Sequence, residues 1–131
     1  MYRSEKPEIE SLRIFPHMPE PTLFEKIHSG AIPAKFLLRE ELVFAIEDID
    51  PKAPFHALII PIKPIASLSA ATAEDAPILA ALLMAAKRLA KEHGLDNGWR
   101  LVANTGGYGG QTVPHLHFHI LGGRRMGWPP G

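Results

Sequence analysis

The sequence contains no cysteine. Disulfides, thiolate-held zinc and cysteine nucleophiles are excluded together, and the absence fits a reducing compartment. Net charge is lacking too, because 14 Lys and Arg offset 14 Asp and Glu. A chain without a basic field cannot hold a long nucleic acid by counterion release, so a small ligand is the expected partner. Long apolar runs are also missing. The longest mostly apolar stretch, residues 76–86, is too short to cross a bilayer. The opening Met1-Tyr2-Arg3-Ser4-Glu5-Lys6-Pro7 is too charged for a signal peptide. These absences predict a cytoplasmic protein with no membrane partner. There is no G-x-S-x-G elbow to seat a serine nucleophile.

What is present suits one domain: 131 residues, of which 46% are hydrophobic, enough to form a core. Residues 1–21 carry four prolines and mixed charge and read as an N-terminal arm, disordered or laid across a partner subunit. From 22 onward the pattern is regular. Thr22-Leu23-Phe24-Glu25 is a capping box for a short helix ending near Gly30. Phe36 to Glu40, Leu42 to Glu47 and Phe55 to Pro61 read as strands, with a turn-rich connection from Asp48 to Pro54. Thr72 caps a long helix with Leu79, Leu82, Leu83, Ala86, Leu89 and Ala90 at helical spacing, closed by Gly94. Trp99 to Asn104 and His115 to Leu121 are the last two strands. Two helices among short strands with short connections predict an α+β domain over 22–131, with a mostly antiparallel sheet.

His115-Leu116-His117-Phe118-His119-Ile120-Leu121 is the informative segment. Side chains alternate along a strand, so the three histidines share one face and Leu116, Phe118 and Ile120 the other. The apolar face can pack on the helices; the histidine face must meet solvent, a cleft or a ligand. Metal is one reading, since alternate histidines can share a zinc. However, the outer pair of a flat strand lies about 13 Å apart, so a metal would need two of them plus a group such as His56. The preceding loop favours an anion instead. Asn104-Thr105-Gly106-Gly107-Tyr108-Gly109-Gly110-Gln111-Thr112-Val113 offers backbone N–H groups to a phosphate, beside imidazoles able to act as nucleophile, acid or base.

Residues 115–121 match the His-φ-His-φ-His-φ-φ signature at every position, with φ apolar. On these residues the chain resembles the histidine-triad (HIT) superfamily. It looks closest to the Hint branch of purine nucleoside phosphoramidases, through Phe24-Glu25-Lys26-Ile27, Ile32-Pro33-Ala34-Lys35, Asp48-Ile49, Ala53-Pro54, His56, Ile60-Pro61, Gly110-Gln111-Thr112 and the ending Leu121-Gly122-Gly123-Arg124-Arg125-Met126-Gly127-Trp128-Pro129-Pro130-Gly131. The resemblance implies a HIT-like fold whose sheet continues across a homodimer. It implies hydrolysis of adenosine or guanosine 5'-phosphoramidates at the P–N bond, with AMP as a product and a nucleotidyl-histidine intermediate. His117 would be the nucleophile and His119 would touch the phosphate or leaving group, while His115 and His56 would orient His117. Asp48 would bind the ribose. Leu23, Phe24, Ile27, Ile46, Ile49 and Leu58 would line the base pocket, and Asn104, Gly110, Gln111, Thr112 and Val113 would surround the phosphate.

The chain departs from the family in lacking the cysteine that some members place near the first helix to bind zinc, so no metal and no cofactor are expected. Thr112 stands where serine is common and Pro114 where tyrosine is frequent, and residues 1–21 have no counterpart. A dinucleoside polyphosphate hydrolase of the same superfamily and a non-catalytic purine nucleotide-binding module are the rival readings. A free tail gains little from an aromatic beside two rigid residues, so the C-terminal Trp-Pro-Pro-Gly is expected to dock; the resemblance implies that it does so near the site, across the dimer interface.

Overall fold

The computed structural model describes residues 20–131; the expected arm lies almost wholly outside them. Helix α1 spans Leu23–Ser29 and is closed at both ends as the sequence predicts. The Thr22 hydroxyl accepts the Glu25 N–H, the Glu25 carboxylate accepts the Thr22 N–H, and Gly30 takes the left-handed conformation at φ 91°. The strands are β1 (Phe36–Arg39), β2 (Val43–Glu47), β3 (Phe55–Pro61), β4 (Trp99–Val102) and β5 (Phe118–Gly122). They form one sheet in the order β1-β2-β3-β5-β4, with every neighbour antiparallel. Helix α2 spans Ala76–Glu92. One tight turn, Ala73–Asp75, comes between its cap Thr72 and its start, so the helix begins later than the Thr72 signal implied.

The two helices cover opposite faces. Val43, Ala45, Ala57, Ile59, Leu116, Phe118 and Ile120 pack with Leu82, Ala85, Ala86 and Leu89 of α2. Phe44, Ile46, Leu58 and Ile60 pack with Phe24 and Ile27 of α1. This explains why β2 and β3 read as nearly continuous apolar runs: both their faces are buried. No helix among the described residues is long and apolar enough to cross a membrane.

The histidine strand is shorter than expected. It begins at Phe118, and His115 and His117 precede it. The ladder stops where β3 runs out of main-chain partners. Pro61 has no N–H, its carbonyl accepts from the His115 ring, and the Leu116 N–H turns instead to the Ile65 carbonyl at 2.6 Å. The alternation survives this change, since Leu116, Phe118 and Ile120 all face α2.

Candidate active site

Each imidazole in this site has partners that fix which nitrogen bears hydrogen. His115 is fully buried. Its Nε2–H donates to the Pro61 carbonyl at 2.8 Å, and its Nδ1 accepts from the Thr22 hydroxyl at 2.6 Å. With both nitrogens engaged inside the protein, its ring does not face a cleft, contrary to the expectation that all three histidines would. Its main-chain carbonyl accepts the His117 Nδ1–H at 2.8 Å. That bond leaves the lone pair of His117 on Nε2. Phe24 meets both rings edge-on, 5.6 Å from His115 and 5.0 Å from His117 between centroids.

A second chain of bonds runs through β3. The Lys52 N–H donates to His56 Nδ1 at 3.0 Å, so the His56 hydrogen lies on Nε2. That hydrogen points at His119 Nδ1, 2.9 Å away, which in turn places the His119 hydrogen on Nε2. His56 is thus bonded to His119 and not to His117. The registers Leu58↔His119 and His56↔Leu121 bring the two histidines to one place on the sheet, and the His117 and His119 rings lie 5.1 Å apart. The Asp48 carboxylate sits beside the pair, with Oδ2 3.4 Å from His56 Nε2 and 4.0 Å from His119 Nδ1. Its Oδ1 accepts the Asp50 N–H, so Asp48 starts the turn and faces the histidines at once.

Burial pushes the His119 ring down to about 4; His117 and His56 add to the shift and Asp48 opposes it. Burial also lowers His56 and His115, opposed chiefly by Asp48 for the first and by the Pro61 carbonyl bond for the second. A lowered pKa means that the unfolded ring takes up a proton the folded ring refuses. Stability is therefore full above the ordinary value of 6.5 and declines as pH falls toward 4. The melting temperature should drop over that window, and the drop should be smaller in His119→Asn. Parallel pH curves for the two proteins would refute this assignment.

The Gly-rich loop is braced by the Gln111 side chain. Gln111 Oε1 accepts the Gly106 N–H, and its Nε2 donates to the carbonyls of Ala66 and Val113. The Gln111 side chain, expected to face the phosphate, therefore holds the loop's shape. Thr112 and Gly110 are exposed, while Asn104 and Val113 are half-buried. Of the expected base-pocket residues, Phe24, Ile27, Ile46 and Leu58 form one buried cluster. Leu23 and Ile49 stand outside it, Ile49 fully exposed. Trp128 is 83% exposed, so the chain's own surface does not cover this aromatic. Sequence reading missed three links: Thr22 to His115, the Lys52 N–H to His56, and Asp48 to the His56–His119 pair. Of these, only Asp48 to His56 carried a signal, as neighbours flanking one turn.

An antiparallel sheet between two helices, with an unprotonated imidazole nitrogen beside a second imidazole and a Gly-rich loop, defines the class of histidine-triad folds. Family comparison agrees: the HIT domain model matches residues 29–126, and the chain belongs to the HIT domain family. It is 50% identical over 114 residues to a HIT-like protein of Synechococcus elongatus, covering 87% of this chain and all of that one. It is 47% identical over 113 residues to a 14 kDa zinc-binding protein of Zea mays, covering 85% and 88%. Among solved structures, a HIT family hydrolase from Legionella pneumophila superimposes with a TM-score of 0.83 at 47% identity, covering 85% of this chain and all of the other.

Proposed function

We propose that this protein hydrolyses purine nucleoside 5'-phosphoramidates through a nucleotidyl-His117 intermediate, as in the Hint branch. The observation that carries the reading is the bond from His117 Nδ1 to the His115 carbonyl, which leaves Nε2 free to attack. The Nε2 lone pair attacks the α-phosphorus, a P–N bond forms to His117, and the substrate's P–N bond breaks as the amine leaves. Water then cleaves the nucleotidyl-histidine. The His119 Nε2–H donates to the phosphoryl oxygen or the leaving group, and Asn104, Gly110, Gln111, Thr112 and Val113 shape the loop around the phosphate. The name of the Legionella neighbour as a hydrolase supports this class of activity. The test is turnover of adenosine 5'-phosphoramidate, with mass spectrometry for a nucleotidyl adduct on the peptide holding His117. AMP binding without turnover would support the non-catalytic rival, and cleavage of dinucleoside polyphosphates alone would support the other.

Asp48 is assigned to the ribose hydroxyls, with Leu23 and Ile49 closing over a base seated on the Phe24, Ile27, Ile46 and Leu58 cluster. Asp48→Ala should weaken ribonucleotide binding by roughly 1.5–3 kcal/mol. Binding of 2',3'-dideoxynucleotides should change less. Equal losses, measured by calorimetry, would return Asp48 to its turn.

A homodimer is part of this reading. Strand β4 is an edge of the sheet among the described residues, and an edge invites continuation into a second copy. The uncovered Trp128 suits docking on that copy.

The Zea mays relative is named for zinc, which makes metal the second reading. Asp48, His56 and His119 are the three donors close enough to share an ion among the described residues. They fit it poorly. A ligating imidazole donates its other N–H to an acceptor. His56 Nδ1 instead faces a donor, the Lys52 N–H, so its hydrogen occupies the nitrogen that would bind the metal. Turnover should therefore survive EDTA; loss with chelator and recovery with zinc would reverse this conclusion.

A further inference from the structure

His115 presents a problem the reaction does not explain: a fully buried imidazole that cannot touch a ligand, held on both nitrogens. We propose that Thr22 is a positioning residue for the nucleophile. Its hydroxyl fixes the His115 ring, and through it the main-chain carbonyl that holds His117. The inference rests on the reading of His117 as the nucleophile.

The Thr22 hydroxyl is used twice. It accepts the Glu25 N–H at 3.0 Å as a helix cap, and its hydrogen goes to His115 Nδ1 at 2.6 Å. Capping alone needs only the acceptor, and aspartate or asparagine would serve as well. The donated hydrogen is what a cap does not require. Thr22 is itself buried, so water competes little for that hydrogen. With Nε2–H committed to Pro61, the His115 ring is clamped between the head of α1 and the end of β3. The same residue's carbonyl sets His117 Nδ1–H, and thus where the Nε2 lone pair points. Phe24, two residues after Thr22, presses on both rings. The start of α1 therefore controls the orientation of the nucleophile through His115, which lies 93 residues from Thr22 in sequence.

The test separates capping from positioning with three variants of the full chain. Thr22→Val removes both bonds of the hydroxyl. Glu25→Ala breaks the other half of the capping box and leaves the Thr22–His115 bond in place. Thr22→Ser keeps everything. Turnover of adenosine 5'-phosphoramidate should fall about tenfold in kcat for Thr22→Val with little change in KM. Glu25→Ala should lose thermal stability but keep kcat, and Thr22→Ser should match the parent. Ring ¹⁵N spectra give a readout independent of turnover: in Thr22→Val the His115 Nε2–H and His117 Nδ1–H tautomers should become mixed. Equal kcat losses in Thr22→Val and Glu25→Ala, or unchanged His115 and His117 spectra in Thr22→Val, would reduce Thr22 to a cap. Absence of turnover in the parent would sink the proposed reaction instead, and the spectra would still decide the role of Thr22.

Discussion

His117→Ala should abolish phosphoramidate turnover, lowering kcat by roughly four orders of magnitude or more, while AMP still binds. Covalent catalysis has no partial substitute when the attacking atom is removed. The neighbouring imidazoles cannot take over. His115 has both nitrogens bonded inside the protein, and in His119 Nδ1 takes the His56 hydrogen while Nε2 carries its own, so neither offers an in-plane lone pair for attack. Binding should persist because Gln111 braces the loop, Asp48 faces His56 and His119, and of the Phe24–Leu58 cluster Phe24 meets the His117 ring while Ile27, Ile46 and Leu58 stay packed together. The fold should persist as well. The lost Nδ1–H bond leaves only the His115 carbonyl unpaired, at a cost of roughly 1–3 kcal/mol. The measurements are single-turnover kinetics, AMP calorimetry and the mass of the nucleotidyl adduct. Near-normal turnover, or an adduct that survives the substitution, would move the nucleophile elsewhere.

The architecture was largely legible because periodicity and punctuation agreed. Thr22 and Gly30 bracket α1, the leucine and alanine spacing marks α2, and Phe55 to Pro61 is a strand over its expected span. The exception was the histidine strand. Alternation fixed which faces the residues take, but not where the ladder ends, because that depends on what Pro61, 54 residues away, offers as a partner. The site was legible in its residue types and in their gathering, but not in its wiring. His56 was expected to orient His117 and instead bonds His119, a consequence of the β3–β5 register. Gln111 is expected at the phosphate, and its side-chain amide also braces the loop, because two loop groups and the Ala66 carbonyl lie within its reach. Hydrogen placement on four imidazoles depends on carbonyls, a hydroxyl and one main-chain N–H contributed by distant or unpatterned positions.

Gly109→Ala should cripple catalysis without touching any side chain at the site. Only a hydrogen fits where the new methyl would go: a Cβ there would lie 2.2 Å from the Thr105 carbonyl oxygen and 2.8 Å from its nitrogen. Both are main-chain atoms, so no rotamer change relieves the clash. Reaching ordinary contact at 3.4 Å requires the main chain to shift by about 1 Å. The loop has little slack, being closed by Gly110 N–H to Gly107, by Gln111 N–H to Gly106, and by the Gln111 side chain. A displacement of about 1 Å in groups that cradle a reacting phosphate costs on the order of 100-fold in rate. The strain itself should lower stability by roughly 1–3 kcal/mol. Gly107→Ala is the matched control, since its Cβ meets nothing within 4 Å and its φ lies outside the left-handed region. We expect kcat/KM to fall about 100-fold in the first variant and to stay near the parent value in the second, with the His117 adduct still detectable in both. If the two alanine variants behave alike, the loop is a flexible connection and not a preformed cradle, and the phosphate must be held by the imidazoles alone.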